Sequence, residues 1–287
     1  MKRLLILMTL TARSALAQGA AEVGPVLEAH ALDSTASINL YLPAGSVRLI
    51  AWDRDSIVVR GQKARNARLF YGAGPRSVKM GVENISRGDS EPSHLVIYMP
   101  RHGRVSVRTA SANIVGEGVS GDFYSSSGNI RLSGVVSSVE AEAMNGSLDL
   151  DLTTPWLRAR TGDGHLLVRG APQDVDASTI GGTLDVIAPK VMRGQFVSVS
   201  GDIHWIGSPA HGSVFDFSNH TGAVDLTLSP SASAALTLSS VSGSIENGFT
   251  RIRPIASPPR TLKFNLGDGD AHVTVRTFKG TIRVRPE

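Results

Sequence analysis

Two carboxylate pairs carry the spacing that hydrolytic chemistry on sugars would need. Asp149 with Asp151, and Asp174 with Asp176, stand two residues apart, hence on one face of a strand. Glycosidases use carboxyl pairs roughly 5 to 9.5 Å apart. Neighbours along a strand meet that distance by accident, and the short connections around these pairs supply no walls for a cleft. A further acidic set recurs at fixed intervals: the column Arg131, Asp149, Leu167, Asp185, His204, Asp225 and Glu246 lies three residues beyond successive glycines. If like positions stack, Asp225 meets Glu246, and the two repel unless water or a cation such as Ca²⁺, which takes 6 to 8 oxygen ligands, bridges them. Leu167 and His204 interrupt the series, so a solvated ladder is the plainer expectation, and the residues leave open whether Asp149, Asp185, Asp225 and Glu246 bind cations.

Other chemistry-bearing residues fall away on the same scrutiny. Gly267-Asp268-Gly269-Asp270 and Thr161-Gly162-Asp163-Gly164 are similar to calcium-binding glycine-aspartate strings, but as single copies in a slot that other units fill with Ser or Asn they read as turns. The histidines, at positions 30, 94, 102, 165, 204, 211, 220 and 272, form no two-apart or four-apart pair of metal-ligand type. Serine is abundant, yet no Gly-x-Ser-x-Gly elbow with triad partners exists. Trp205, Phe196, Phe215 and Phe217 cluster where earlier units have Ala; a widened core is the expectation, and a sugar-stacking patch the rival if Trp205 is exposed. Cysteine is absent, which removes disulfides, thiolate metal sites and thiol catalysis. No catalytic, cofactor-binding or metal-ligating set is assigned, and no cofactor is expected.

The elements that position these residues announce themselves as a repeat. Gly128, Gly146, Gly164, Gly182, Gly201, Gly222 and Gly243 recur, followed more loosely by Gly269 and Gly280, with Ala112 in the slot of an upstream copy. The residues before them, among them Ser127, Asn145, Asp163, Ser200, Thr221, Ser242 and Asp268, are ones that turns favour, so each glycine is expected to mark a reversal. Two residues after the glycine stand Ile114, Ile130, Leu148, Leu166, Leu184, Ile203, Val224, Ile245, Ala271 and Ile282. Four after it the apolar face continues, and five before it lie Val107, Phe123, Ala141, Ala159, Ala177, Phe196, Phe217, Leu238, Phe264 and Val275. Both arms of the unit therefore read as half-buried strands with period two.

Charge order suggests how the arms pair. Glu140 and Glu142 in one copy, Arg158 and Arg160 in the next and Asp176 in the third alternate in sign as parallel, in-register stacking requires. The fold class expected is all-β: a single-stranded, right-handed β-helix-like solenoid of 18- to 21-residue repeats with an N-terminal β cap. The alternative is a stack of hairpins in two antiparallel sheets, with type I′ turns at Asn145-Gly146 or Asp163-Gly164.

The chain of 287 residues divides, on this reading, into a signal peptide over 1–17, an N-terminal β region over 18–104 and a repeat domain over 105–287. Lys2 and Arg3, the apolar run Leu4 to Leu10 and the small-x-small site Ala15-Leu16-Ala17 make the signal. Losing it removes Lys2, Arg3 and Arg13 and no acid, which brings the formal charge of +4 down to about +1. Nucleic acid is thereby excluded as an expected partner. Within the second segment, Gly45 to Leu49 fits the glycine template, Ile57 to Arg60 and Leu95 to Met99 read as strands, and Lys63 to Pro92 reads as loops around a strand near Val78 to Val82. Three prolines make Pro254 to Pro259 a loop that interrupts the last copies.

The runs Gly45-Ser46-Val47-Arg48-Leu49-Ile50-Ala51-Trp52-Asp53, Met99 to Val107 and Ser127-Gly128-Asn129-Ile130-Arg131-Leu132-Ser133-Gly134-Val135 carry a family likeness. Together they resemble the bacterial putative-adhesin β-strand-repeat family, the toastrack-like proteins, over nearly the whole mature chain. The resemblance implies an all-β solenoid outside the cytoplasm with a role in adhesion or envelope processes, and it supplies no active-site motif. The expectation is an exported, non-enzymatic binding or scaffolding protein, periplasmic, surface-held or secreted. An envelope protein or a polysaccharide is the expected partner, with no membrane span in the mature chain. The alternatives are a polysaccharide lyase or hydrolase on a β-helix scaffold and an envelope-stress sensor module.

Overall fold

The computed structural model describes residues 24–85, 90–189, 191–252, 254–255 and 260–287; the signal segment over 1–17 and most of the Pro254 to Pro259 loop lie outside them. The described residues form strands and turns and no helix. The chain runs from β1 (Val26–Ala31) through a pair, β2 (Ser37–Leu42) and β3 (Gly45–Trp52), to β4 (Ser56–Gln62), β5 (Ala67–Gly74) and a second pair, β6 (Ser77–Asn84) and β7 (Ser93–Pro100). The regular body follows as β8 (Arg104–Thr109), β9 (Asn113–Glu117), β10 (Ser120–Ser125), β11 (Ile130–Val135), β12 (Val139–Ala143), β13 (Leu148–Thr161), β14 (Leu166–Thr179), β15 (Leu184–Ile187), β16 (Arg193–Ser198), β17 (Ile203–Gly207), β18 (Val214–Asn219) and β19 (Val224–Leu228). Five strands close the chain: β20 (Ala234–Ser240), β21 (Ile245–Asn247), β22 (Thr261–Leu266), β23 (Ala271–Thr277) and β24 (Ile282–Pro286).

Each coil has one strand before its glycine and one after. The strands before the glycine, β8, β10, β12, the second half of β13, the second half of β14, β16 and β18, pair in parallel from coil to coil. Those after it, β9, β11, the first halves of β13 and β14, β15, β17 and β19, do the same. Leu148, Leu166 and Leu184 lie in direct register and are at most 1% exposed, so the apolar column is a dry spine. This is the solenoid; the hairpin alternative fails because antiparallel pairing is confined to the two ends. A constant repeat length brings like residues over like, and only parallel registration keeps both inner faces apolar.

The column glycines are required for a reason the sequence reading missed. Gly128, Gly146, Gly164, Gly182, Gly201, Gly222, Gly243 and Gly280 are all absent from the positive-φ residues, so turn conformation does not demand them. A Cβ at Gly164 would fall 2.0 Å from the Gly146 carbonyl oxygen, and one at Gly182 would fall 1.9 Å from that of Gly164. Each coil's carbonyl occupies the volume that the next coil's side chain would need. Gly269 is different: at φ 76° it is a true turn glycine between β22 and β23 and does not belong to the column. Ala271 and Val273, read as positions after a glycine, accordingly lie on β23, a strand before Gly280.

A second column escaped the sequence reading. Three residues before the glycine, the buried polar side chains Thr109, Ser125, Thr161, Thr179, Ser198, Asn219, Ser240 and Thr277 line the inside of the corner. Ser125 Oγ accepts from Gly128 N–H at 2.7 Å and Asn219 Oδ1 from Gly222 N–H at 3.0 Å, while Thr161 donates to Gly146 O at 2.9 Å and Thr277 to Gly280 O at 2.9 Å. Corner backbone groups that the ladders leave over are thus satisfied from within.

Both ends depart from simple chain order. The last coil, β23 and β24, does not sit outside β20 and β21 but slots between them and the body: β18 and β19 pair with β23 and β24, which in turn pair with β20 and β21. The carbonyl contacts follow that order, Gly280 lying on Gly222 and Gly243 on Gly280. At the other end β2 and β3 lie between β8 and β9 on one side and β6 and β7 on the other. Antiparallel strands then cap both edges, β1, β4 and β5 at the N-terminal end and β22 at the C-terminal end. Strand β5 lies where loops were expected; it is an edge strand whose Arg68, Gly72 and Gly74 dilute the alternation.

Candidate functional site

The strongest chemical expectation concerned the acidic column, and the crossed end changes it. Arg283 of β24 lies in register with both Asp225 and Glu246 and separates them. Its Nη1 is 3.2 Å from Asp225 Oδ1 and its Nε 3.2 Å from Glu246 Oε2. The expected repulsion between Asp225 and Glu246 is therefore corrected to an ion-pair ladder. Asp149 is likewise held from both sides, by Arg131 Nε at 3.1 Å and Arg169 Nη2 at 2.6 Å. In the middle of the column Asp185 accepts from two imidazoles, His165 Nε2 at 2.6 Å and His204 Nδ1 at 2.8 Å, and His204 Nε2 lies 3.8 Å from Asp225 Oδ2. His165 and His204 are far apart in sequence, and only the stacking of adjacent coils brings them to one carboxylate. Among the described residues no group of three His, Asp or Glu side chains is disposed to hold a metal ion.

Of the two candidate acid pairs, Asp149, Asp174 and Asp176 are committed to arginines, while Asp151 lies in register with Arg169, whose Nη2 goes to Asp149 instead. Asp176 Oδ2 is 3.1 Å from Arg158 Nε and 4.0 Å from Arg160 Nη2, and Asp174 Oδ2 is 2.6 Å from Arg193 Nη2. The registers Glu140 to Arg158, Glu142 to Arg160 and Arg158 to Asp176 occur as the charge order implied, although Glu140 and Arg158 approach only to 3.8 Å. In the Gly267 to Asp270 turn, Ser233 Oγ accepts from the backbone N–H of Asp268 at 3.1 Å, which is turn chemistry. The sugar-stacking reading of Trp205 is overturned: the ring is 2% exposed and lies 5.3 Å from Phe215 and 6.4 Å from Phe217, within the core. The side chains four residues after the glycine, from Leu132 through Leu226, point inward, so Trp205 fills the wider middle coils.

What remains open to a partner are the outward strand faces and the turn edges. Ile180, Val199, Phe278 and Val241 occupy the same corner slot, two residues before their glycines, and all are exposed. His220 fills that slot in an intervening coil and stacks on Phe278 at 4.9 Å.

Fold and surface together define a capped β-solenoid with ladder-covered faces. The chain matches the family described as Toastrack DUF4097 over residues 82–285 and belongs to that family. Among solved structures it is similar to a putative adhesin from Parabacteroides distasonis, with 11% identity, a TM-score of 0.47 and coverage of 91% of this chain and 97% of the other. A putative adhesin from Parabacteroides merdae gives 11% identity, TM-score 0.46 and coverage of 90% and 94%, and one from Bacteroides fragilis 9%, 0.44, 92% and 98%. No curated protein matches the chain.

Proposed function

We propose that the protein is a non-enzymatic component of the cell envelope, exported by its N-terminal signal, that uses its outward strand faces and turn edges to bind or scaffold another envelope molecule. The observation that carries this reading is the in-register stacking of both strand sets, which repeats outward side chains in straight rows on a rigid support. Parallel strands about 4.8 Å apart make each row a ruler against which an extended partner can lie. The division into a cap over 18–104 and a repeat domain over 105–287 belongs to the same proposal. Among the described residues no helix is long and apolar enough to cross a membrane.

The rival reading, a lyase or hydrolase, finds its carboxylates Asp149, Asp174 and Asp176 each held by arginine. Their oxygens are already engaged by guanidinium groups of neighbouring coils. Incubation of the purified protein with envelope polysaccharides tests the choice. Retention without turnover is expected; turnover that Asp149→Ala or Asp176→Ala abolishes would falsify the binding reading.

A further inference from the structure

One corner of the solenoid carries a row whose two halves match end to end. Just before the glycines, backbone bonds step from coil to coil: Gly181 N–H donates to Gly162 O at 3.0 Å, that of Ser200 to Ile180 O at 2.8 Å and that of Thr221 to Val199 O at 3.0 Å. The steps continue from Lys279 N–H to His220 O and from Ser242 N–H to Phe278 O, both at 2.8 Å. Side chains two residues before the glycines therefore form one ridge with a spacing of about 4.8 Å. Val199 is at its middle. Ile180 and His220 flank it, Gly162 and Phe278 come next, and Met144 and Val241 form the ends. The five apolar side chains of the ridge are between 41% and 56% exposed.

Shape and charge select the occupant. Reversed end for end about Val199, the ridge sets Val241 on Met144, and the Phe278 ring on the notch that Gly162, lacking a side chain, leaves between Met144 and Ile180. Unreversed, it would set ring on ring and notch on notch. The adjoining row, one residue before the glycines, is centred on Ser200 and carries Asp163 two coils to one side and Lys279 two coils to the other. Both are exposed, and among the described residues neither has an ion-pair partner. Reversal brings Lys279 to Asp163 twice over, once in each direction. Arg260, bonded to Val241 O, and Glu142, two residues before Met144, stand at opposite ends of the ridge, so the same reversal brings unlike charges together there as well. Other charges near the corner have counterparts within the chain: Asp202 accepts from Ala223 N–H at 2.7 Å, Arg276 pairs with Asp216 at 2.8 Å and Arg160 lies 4.0 Å from Asp176. Contacts that repeat on reversal are the property of a two-fold interface between identical chains.

We infer that this ridge, from Met144 to Val241, docks on the same ridge of a second copy of this chain, with the two solenoid axes antiparallel and Val199 on the two-fold axis. The inference goes beyond the binding role proposed above: it gives one turn edge to self-association and leaves the strand faces to other molecules. An interface one corner wide is smaller than the roughly 800 Å² per partner of a standard complex, so association is expected at micromolar concentration or above.

Sedimentation velocity of the purified protein over micromolar to millimolar concentration tests it. A reversible equilibrium between monomer and dimer is expected. Val199→Asp, which sets two carboxylates on the axis, should raise the dissociation constant at least about tenfold without moving the thermal midpoint. Asp163→Lys and Lys279→Asp should each raise it about three- to tenfold, less at high salt, and the two together in one chain should restore it. Because the chain has no cysteine, Val199→Cys gives an independent readout. Oxidation should link two chains of that variant, whereas Val241→Cys should link to Met144→Cys in a mixture and not to itself. A chain that stays monomeric at every concentration overturns the inference. So does a dimer indifferent to Val199→Asp, or one that the double charge exchange fails to restore.

Discussion

Arg283 donates through Nη1 to Asp225 Oδ1 at 3.2 Å although 58 residues separate the two along the chain. The contact exists because the coil that is last in sequence is not last in space. It also turns a column that reads as acid upon acid into one of alternating sign. Replacing Arg283 by Met should restore the repulsion between Asp225 and Glu246. Because the ladder is partly exposed, a loss of only about 0.5 to 1 kcal/mol is expected. High salt should shrink the deficit in urea unfolding, and a deficit indifferent to salt would point to packing of the arginine stem instead.

The carbonyl-over-glycine column predicts a far larger effect. Gly182→Ala would place a methyl 1.9 Å from the Gly164 carbonyl oxygen, against backbone fixed by two ladders. A cost of about 3 kcal/mol or more is expected. Gly72→Ala, whose Cβ would meet nothing closer than 3.9 Å, is the matched control and should be near neutral. Equal thermal midpoints for the two variants would show that the column yields.

The buried polar column contains one gap, and the gap is an opportunity. Ser125 and Ser240 accept hydrogen bonds from the N–H of Gly128 and Gly243, at 2.7 and 2.8 Å, whereas the same slot in the Gly146 coil holds Ala143. Ala143→Ser should supply the missing acceptor and stabilise by about 0.5 to 1 kcal/mol, while Ser125→Ala should cost about 1 to 2 kcal/mol. Denaturant midpoints moving in opposite directions are the expected result.

Acid should loosen the N-terminal end first. The hydrogen bond from Arg101, and then its charge, holds the Asp53 carboxyl below its ordinary 3.8, and the side-chain and backbone hydrogen bonds of Thr35 do the same for Asp33. A lowered folded-state value means that the ionised form favours the fold. That contribution is complete above 3.8 and fades as pH falls through the lowered values, so the effect belongs below about pH 4. Asp53→Asn should be less stable than wild type at neutral pH and converge on it at low pH. A difference that persists unchanged into acid would assign the effect to something other than ionisation.

Trp205 offers a direct optical check on the inside of the stack. In a Trp52→Phe, Trp156→Phe background its emission should be blue-shifted and poorly quenched by acrylamide, as befits a ring 2% exposed. Its indole N–H has no acceptor among the described residues, so Trp205→Phe should lose less stability than an ordinary core truncation.

The body of this fold was legible because its information is local and periodic. The run Ile130, Leu148, Leu166, Leu184, Ile203 states the inner face, and Glu140, Arg158, Asp176 state parallel registration. The ends were not legible, since no local pattern distinguishes a coil that stacks outside its predecessor from one that slides beneath it. Asp225, Arg283 and Glu246 held the clue: reordering the coils by charge would have placed Arg283 between the acids. The convergence of His165 and His204 on Asp185 needed two different columns to be overlaid.

The crossed order at the C-terminal pole has a consequence in time. Residues 234–247 are synthesised before residues 271–286, yet they pair with the body only through them. While the chain is still being threaded out, the earlier segment has nowhere to moor, and the pole shuts in a single late event when the later segment arrives like a keystone. A chain broken off after Leu266 would therefore forfeit more than its own missing length, setting adrift everything from Ala234 onward.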